Sequence, residues 1–339
     1  MRVHRNATAG CALLFALAAA GCAGHDDTTG ATGAAPAAPS ASPSPTTPAT
    51  AYAPYVSATT ASATDTAGSP TTYNMAFAIS SGDDCVPRWN GVQDIDDASV
   101  ASRVEKLRES GATVRVSFGG ASGTELAAAC GSASALAAAY GTALDAAGST
   151  RADFDIEGDA LTDVGSVALR SEAIALLQEQ RDGLEVSFTL PVMPTGLDTD
   201  GLALLASAND HGVQVSAVNL MTMNYGESYT ADMGDYALTS AKAAHTQLKK
   251  VFGTSDADAW RGMALTSMLG VNDVAGETFT LADAAEVRAF AEEKGIAWVS
   301  MWAAFRDRQC AEDASATDAL TTCSGVAQEE GAFGTAFGA

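Results

Sequence analysis

The chain is poor in basic groups, poor in aromatics and free of any apolar run long enough to cross a bilayer. Its 339 residues carry 18 Lys and Arg against 41 Asp and Glu, a formal charge of −23. DNA or RNA would meet repulsion over most of such a surface, so no nucleic-acid partner is expected. No uncharged apolar stretch reaches the roughly 18 residues of a spanning helix, so any membrane attachment must take another route. There are only 4 His, with no CxxC pair and no His cluster to supply zinc ligands, and no GxSxG elbow for a serine nucleophile. Neither a metal nor a cofactor is expected. What is present, 47% hydrophobic and 17% charged residues with 32 Gly, is the composition of a globular protein with flexible segments.

The N-terminus supplies the other route. Arg2 and Arg5 form a positive leading region, and residues 12–20 (ALLFALAAA) a short apolar core. Ala19, Ala20 and Gly21 then precede Cys22, a spelling that resembles the lipobox of bacterial lipoproteins. Residues 1–21 are therefore expected to be a removed signal peptide. The resemblance implies that Cys22 is acylated, which places the protein on the extracellular face of the cell membrane by a lipid anchor alone. An ordinary secretory signal is the alternative. Residues 23–50 contain no Leu, Ile, Val or Phe and include Pro36, Pro39, Pro43, Pro45 and Pro48. Such a segment cannot bury enough apolar surface to offset its ordering entropy, and residues 22–50 are expected to be a disordered Ala/Pro/Ser/Thr-rich linker. Beyond Cys11 and Cys22, four cysteines remain, Cys85, Cys130, Cys310 and Cys323. They allow three connectivities. The pairing expected is Cys85 with Cys130 and Cys310 with Cys323, the latter closing a short polar loop.

Residues 51–339 have the usual size of a single barrel domain. Short β-rich runs fall at 51–57, 73–79, 113–118, 152–157, 184–190, 215–223, 262–268 and 297–302. Between several of them lie apolar stripes at helical spacing: Val100, Val104 and Leu107; Leu136, Tyr140 and Leu144; Leu238, Ala241, Leu248 and Phe252; Ala284, Val287 and Ala291. Strands alternating with helices predict an α/β fold with a parallel sheet, here a (β/α)8 TIM barrel. The connection 58–72 is polar and lacks a helical stripe, and 80–91 is rich in Gly, Asp and Pro, so the barrel is expected to be irregular after its first two strands.

In a barrel of this kind the chemistry sits at the C-terminal ends of the strands. There the run Asp153-Phe154-Asp155-Ile156-Glu157 puts three acids on one face of a strand, with Phe154 and Ile156 on the other. Like charges at that spacing, partly buried, should hold a proton at neutral pH, as a general acid requires. An exposed strand face and a hard-cation site are the competing readings of the same pattern.

Asp153 to Glu157 resembles the end of the DxxDxDxE signature of glycoside hydrolase family 18, the chitinases and related endo-β-N-acetylglucosaminidases. Ser117-Phe118-Gly119-Gly120 resembles the family's third-strand SxGG motif, Met221 to Tyr225 its sixth-strand motif, and Trp298 to Trp302 its eighth strand. The resemblance covers residues 51 to about 330. It implies a substrate-assisted retaining hydrolysis of β-1,4-linked N-acetylglucosamine. Glu157 would protonate the glycosidic oxygen, Asp155 would orient the acetamido group, and Asp153 would buffer the Asp155 proton. Tyr225 would hydrogen-bond the acetamido oxygen, Trp302 would floor the sugar site, and Asn224 and Met223 would line it. The partner implied is chitin or an N-acetylglucosamine oligosaccharide, acted on by a monomer. An endo-β-N-acetylglucosaminidase on N-glycans, or a non-catalytic sugar-binding protein on the same scaffold, would share these motifs. Two positions depart from the pattern: Thr150 stands where the signature begins with Asp, and Asn224 where many members carry Asp. Trp89 is expected to be either an added stacking platform or an exposed loop anchor, His245 a packed helix residue, and Asn272 and Asp273 loop residues within reach of the substrate.

Overall fold

The computed structural model of the chain describes residues 49–82 and 84–339. The expected signal peptide, Cys22 and nearly all of the expected linker lie outside the described residues. Among the described residues eight strands make the barrel wall. β1 comes in two pieces, Ala51–Tyr52 and Tyr55–Ser57; β2 (Thr72–Ser80), β3 (Thr113–Gly119), β4 (Arg151–Asp155), β5 (Glu185–Pro191), β6 (Val215–Met221), β7 (Met263–Met268) and β8 (Trp298–Trp302) follow. They pair in parallel in chain order, and the two pieces of β1 pair with β8 and with β2 respectively.

The ladder is therefore not closed continuously, and the break falls at Ala53 and Pro54. Pro54 has no N–H to offer. The segment changes partner there: Ala53 N donates to Val299 O at 2.9 Å, while Pro54 O accepts from Asn74 N at 2.9 Å. Two other strands end earlier than the sequence predicts. β4 ends at Asp155 because Gly158, at φ 54°, turns the chain, although Ile156 N still donates to Thr189 O at 3.0 Å. β6 ends at Met221, ahead of Asn224 at φ 54°.

The helices are α1 (Ala98–Arg108), α2 (Leu126–Ala129), α3 (Ala133–Ala146), α4 (Asp159–Thr162), α5 (Val164–Gln180), α6 (Thr199–Asp210), α7 (Met233–Phe252), α8 (Asp256–Arg261), α9 (Leu281–Lys294), α10 (Ala316–Thr321) and α11 (Ala332–Gly338). The predicted stripes are their inner faces. Val100, Val104 and Leu107 of α1 are buried, as are Leu136, Tyr140 and Leu144 of α3. Local signals set their ends: Thr280 and Asp283 form a capping box on α9, and Gly253 and Gly295 close α7 and α9 in the left-handed region. Between strands and helices lies an aromatic seam in which Phe154 stacks on Phe118 at 5.2 Å and meets Tyr140 edge-on at 4.9 Å. His245 is buried in α7 against the ring of Trp260, at 3.9 Å between centroids.

The irregularity falls on the expected side. No helix joins β1 to β2 among the described residues; the connection is held by a 3.1 Å ion pair of Asp65 with Arg103 and by Thr64 Oγ1 donating to Ala304 O. The C-terminal helix α11 stacks Phe337 on Tyr52 of β1. After β2 an antiparallel hairpin, Pro87–Trp89 with Gln93–Asp94, extends the sheet. Trp89 is 1% exposed and donates Nε1–H to Ile95 O, so it is the buried pivot of this hairpin and offers no surface for stacking. Both disulfides pair as expected, Cys85 with Cys130 and Cys310 with Cys323.

Candidate active site

Asp153, Asp155 and Glu157 rise in a column from the barrel interior to its mouth. Asp153 is 1% exposed and is engaged by hydroxyls from three other strands. Its Oδ2 accepts from Tyr55 at 2.8 Å and Ser117 at 2.7 Å, its Oδ1 from Ser187 and Thr189, both at 2.8 Å. Beyond them Asn219 donates to Thr189 Oγ1 and accepts from Thr266, each at 2.9 Å. Period-two alternation put Ser187 and Thr189 of β5 on the same inward face as the acids, a signal readable in the sequence once the barrel is assumed. Tyr55 carried no such mark. Thr150 is exposed at the start of β4, away from this cluster.

Asp155, above Asp153, is 6% exposed, and its Oδ1 is buried without a hydrogen-bond partner. Burial pushes its carboxyl well above the ordinary range, and the neighbouring charges of Glu157 and Asp153 push it the same way. Glu157, last in the column and partly exposed, is also pushed up, first by burial and then by the charge of Asp273. Asp155 and Glu157 share a cavity of about 250 Å³ with Tyr55, Phe77, Thr189, Met221, Met223, Asn224, Asp273 and Trp302. Trp302 stacks on Phe77 at 5.6 Å and meets Tyr55 edge-on at 5.8 Å, giving the cavity an aromatic floor.

The glycines of the SxGG run are required by close approach. A Cβ on Gly119 would lie 2.1 Å from Asp155 O, and one on Gly120 2.8 Å from the Phe77 ring. Both have positive φ, 91° and 93°. The loop beyond them is pinned by Glu125, which accepts from Arg170 at 2.7 Å and from Tyr140 at 2.8 Å in a buried cluster.

One expected residue is not at the site. Tyr225 does not line the cavity: it is 4% exposed, and its ring packs against Tyr229 at 5.9 Å and Tyr236 at 5.7 Å. The chain leaves β6 two residues earlier than predicted, so Met221, Met223 and Asn224 reach the cavity and Tyr225 turns away from it. Asp273 joins the site, while Asn272 is buried and donates to Met268 O and Gly270 O, a backbone support. Among the described residues no group of three or more His, Cys, Asp or Glu side chains is arranged to hold a metal ion.

A parallel barrel with a stack of acids at the C-terminal end of its fourth strand carries acid–base groups where enzymes of this fold place their chemistry. No protein-family model matches the chain. It is 33% identical over 249 residues to the probable bifunctional chitinase/lysozyme of Escherichia coli (strain K12), which covers 69% of this chain and 28% of that protein. It is 32% identical over 248 residues to endochitinase 11 of Metarhizium anisopliae, covering 69% and 47%. The chain thus spans about a quarter and about half of the curated relatives it matches. The solved catalytic domain of a hyperthermophilic chitinase from Pyrococcus furiosus superposes with a TM-score of 0.74 at 28% identity, over 86% of this chain and 94% of that one. Active domain 2 of the Pyrococcus furiosus chitinase, solved as catalytic-site mutants with chito-oligosaccharides, superposes with a TM-score of 0.73. The chain belongs to the chitinase-like proteins of glycoside hydrolase family 18.

Proposed function

We propose that this protein cleaves β-1,4 linkages between N-acetylglucosamine units of chitin or its oligomers, with the substrate's own acetamido group as nucleophile. One observation carries the reading: Asp155 and Glu157, both with carboxyls pushed up, share a cavity floored by Trp302. The chitinases among its relatives support the substrate class. Trp302 and Phe77 offer an apolar face to the C–H side of a pyranose ring.

Glu157, protonated, donates its proton to the glycosidic oxygen as that bond breaks. The acetamido carbonyl oxygen attacks the anomeric carbon and forms an oxazolinium ion, so no protein nucleophile is needed. Asp155, which lines the cavity, accepts the acetamido N–H and so orients the group. Charge building on the oxazolinium is offset by the acidic column beneath it. Glu157, then a carboxylate, takes a proton from the water that opens the ring. Export with a lipid tether at Cys22 is part of the same proposal, supported by the leader sequence.

Release of a chromophore from a β-chitobioside, with Glu157→Gln alongside, tests the reading. Loss of a general acid costs roughly 10²- to 10⁴-fold in turnover. Equal turnover by the two proteins rejects the proposal, and appreciable cleavage of an analogue lacking the N-acetyl group rejects the acetamido nucleophile.

A further inference from the structure

Asn224 and Asp273 come from different loops, after β6 and after β7, and bond to each other at the rim of the cavity. Asn224 Nδ2 donates to Asp273 Oδ2 at 3.3 Å, and its Oδ1 accepts from Val274 N at 3.3 Å. One carboxamide therefore grips both the side chain and the backbone of the β7 loop. A carboxylate at position 224 could accept from Val274 N but has no proton to give Asp273, and the two charges would repel. Asn224 sits at φ 54°, where Asn is among the few non-glycine residues that settle readily.

The same two loops are tied again from below. Glu277 is buried and accepts from Gly226 N at 2.8 Å. Arg306 is fully buried and donates to Trp302 O and Val271 O, joining the ends of β8 and the β7 loop. Asp273 is exposed on this anchored frame and lines the same cavity as Glu157.

We propose that Asp273 is the rim carboxylate that faces Glu157 across the cavity, and that Asn224 is the positioning residue that holds it there. The proposal rests on Glu157 being the general acid. The departure at position 224 then has a purpose: the carboxamide recruits a negative charge from the neighbouring loop. The groups facing Glu157 are few. Asp155 lies below it on β4, Asp273 comes from the β7 loop, and the phenol of Tyr55 on β1 lines the same cavity. Arg306 on the 3-10 turn after β8 is the charged neighbour of this loop: burial pushes its guanidinium down and the charge of Asp273 works against that. No cationic side chain lines the cavity itself among the described residues.

A like charge opposite Glu157 disfavours its ionised form and keeps the acid protonated to higher pH. The test is a titration of the Glu157 carboxyl carbon by NMR in the full chain, its signal assigned by its loss in Glu157→Gln. In Asp273→Asn the Glu157 midpoint should fall, and the basic limb of kcat/KM on a chromogenic β-chitobioside should move to lower pH with it. Asp273→Glu, which keeps the charge, should hold the midpoint near that of the wild type. Asn224→Ala, which releases the Asp273 side chain, should move it in the same direction as Asp273→Asn. An unmoved midpoint in Asp273→Asn overturns the role of Asp273, as does an equal fall in Asp273→Glu. An unmoved midpoint in Asn224→Ala overturns the positioning role. Wild-type turnover in Glu157→Gln would instead sink the hydrolase reading while leaving the titration to decide this one.

Discussion

Tyr55 donates its hydroxyl to Asp153 Oδ2 at 2.8 Å and lies 2.9 Å from Thr189 Oγ1, linking the broken first strand to the fourth and fifth. The bond sits directly beneath the cavity. Burial pushes the Tyr55 phenol well up, with the charges of Asp153 and Asp155 adding to it, so this hydroxyl remains a donor throughout the working pH range. Tyr55→Phe leaves Asp153 Oδ2 with Ser117 as its remaining donor and removes a ring substituent that touches two strands. A lost hydrogen bond to a charged group costs about 1.5–3 kcal/mol. We expect a lower Tm and reduced turnover in Tyr55→Phe, measured by calorimetry and chromophore release; unchanged Tm would show that the bond contributes nothing to the barrel.

Asp155 carries an opposite tension between stability and function. Its folded carboxyl is held above its unfolded value, so its contribution to stability is fully present below the ordinary carboxylate range and is lost as pH rises through the elevated folded value. At neutral pH and above, the folded state bears the cost of a buried acid in a negative neighbourhood. Asp155→Asn removes that cost. We expect its Tm to gain on the wild type progressively as pH is raised from 4 to 8, while turnover falls. A Tm difference that stays constant over that interval would contradict the assignment.

Much of this was legible in the sequence, because it depends on period. All eight strands lie where alternating and β-branched runs fall, and the acids of β4 face inward as alternation requires, with Phe154 and Ile156 buried on the other side. Tyr225 was misread for a local reason. Extending β6 to residue 223 carried the alternation past the point where Asn224, at positive φ, ends it. Trp89 was misread because a three-residue hairpin strand has too little pattern to show which face is covered. Alternation marks Ser187 and Thr189 as inward, but the convergence of Tyr55 and Ser117 on the same carboxylate needed three dimensions, since these hydroxyls come from strands far apart in the chain.

The disulfide between Cys310 and Cys323 acts on the site at one remove. Ser324, the next residue, accepts from Val271 N at 2.7 Å, and a Cβ on Gly270 would strike Ser324 O at 1.8 Å. The C-terminal loop is therefore seated against the strand end from which Asp273 projects. With the cysteines 13 positions apart in the chain, chain entropy assigns the bond about 3 kcal/mol. Cys310→Ser with Cys323→Ser should lower Tm by several degrees and raise KM more than it lowers kcat, because the β7 loop loses its backing. An unchanged KM would show that the loop holds its place without the bond.

Tyr225 provides a sharp comparison, since the family pattern and the geometry make different demands of it. If its hydroxyl bonded the acetamido group, Tyr225→Phe would lose turnover on any N-acetylated substrate. Here the ring is buried among Tyr229 and Tyr236, burial pushes the phenol well up, and its polar neighbour Ser240 lies on α7 and not in the cavity. Removing the hydroxyl while keeping the ring therefore leaves the cavity and its acids as they are. We expect Tyr225→Phe to keep turnover within twofold of wild type on the β-chitobioside and to fold normally. A tenfold loss of kcat with normal folding would mean that the loop after β6 rearranges on binding and swings this hydroxyl into the cavity.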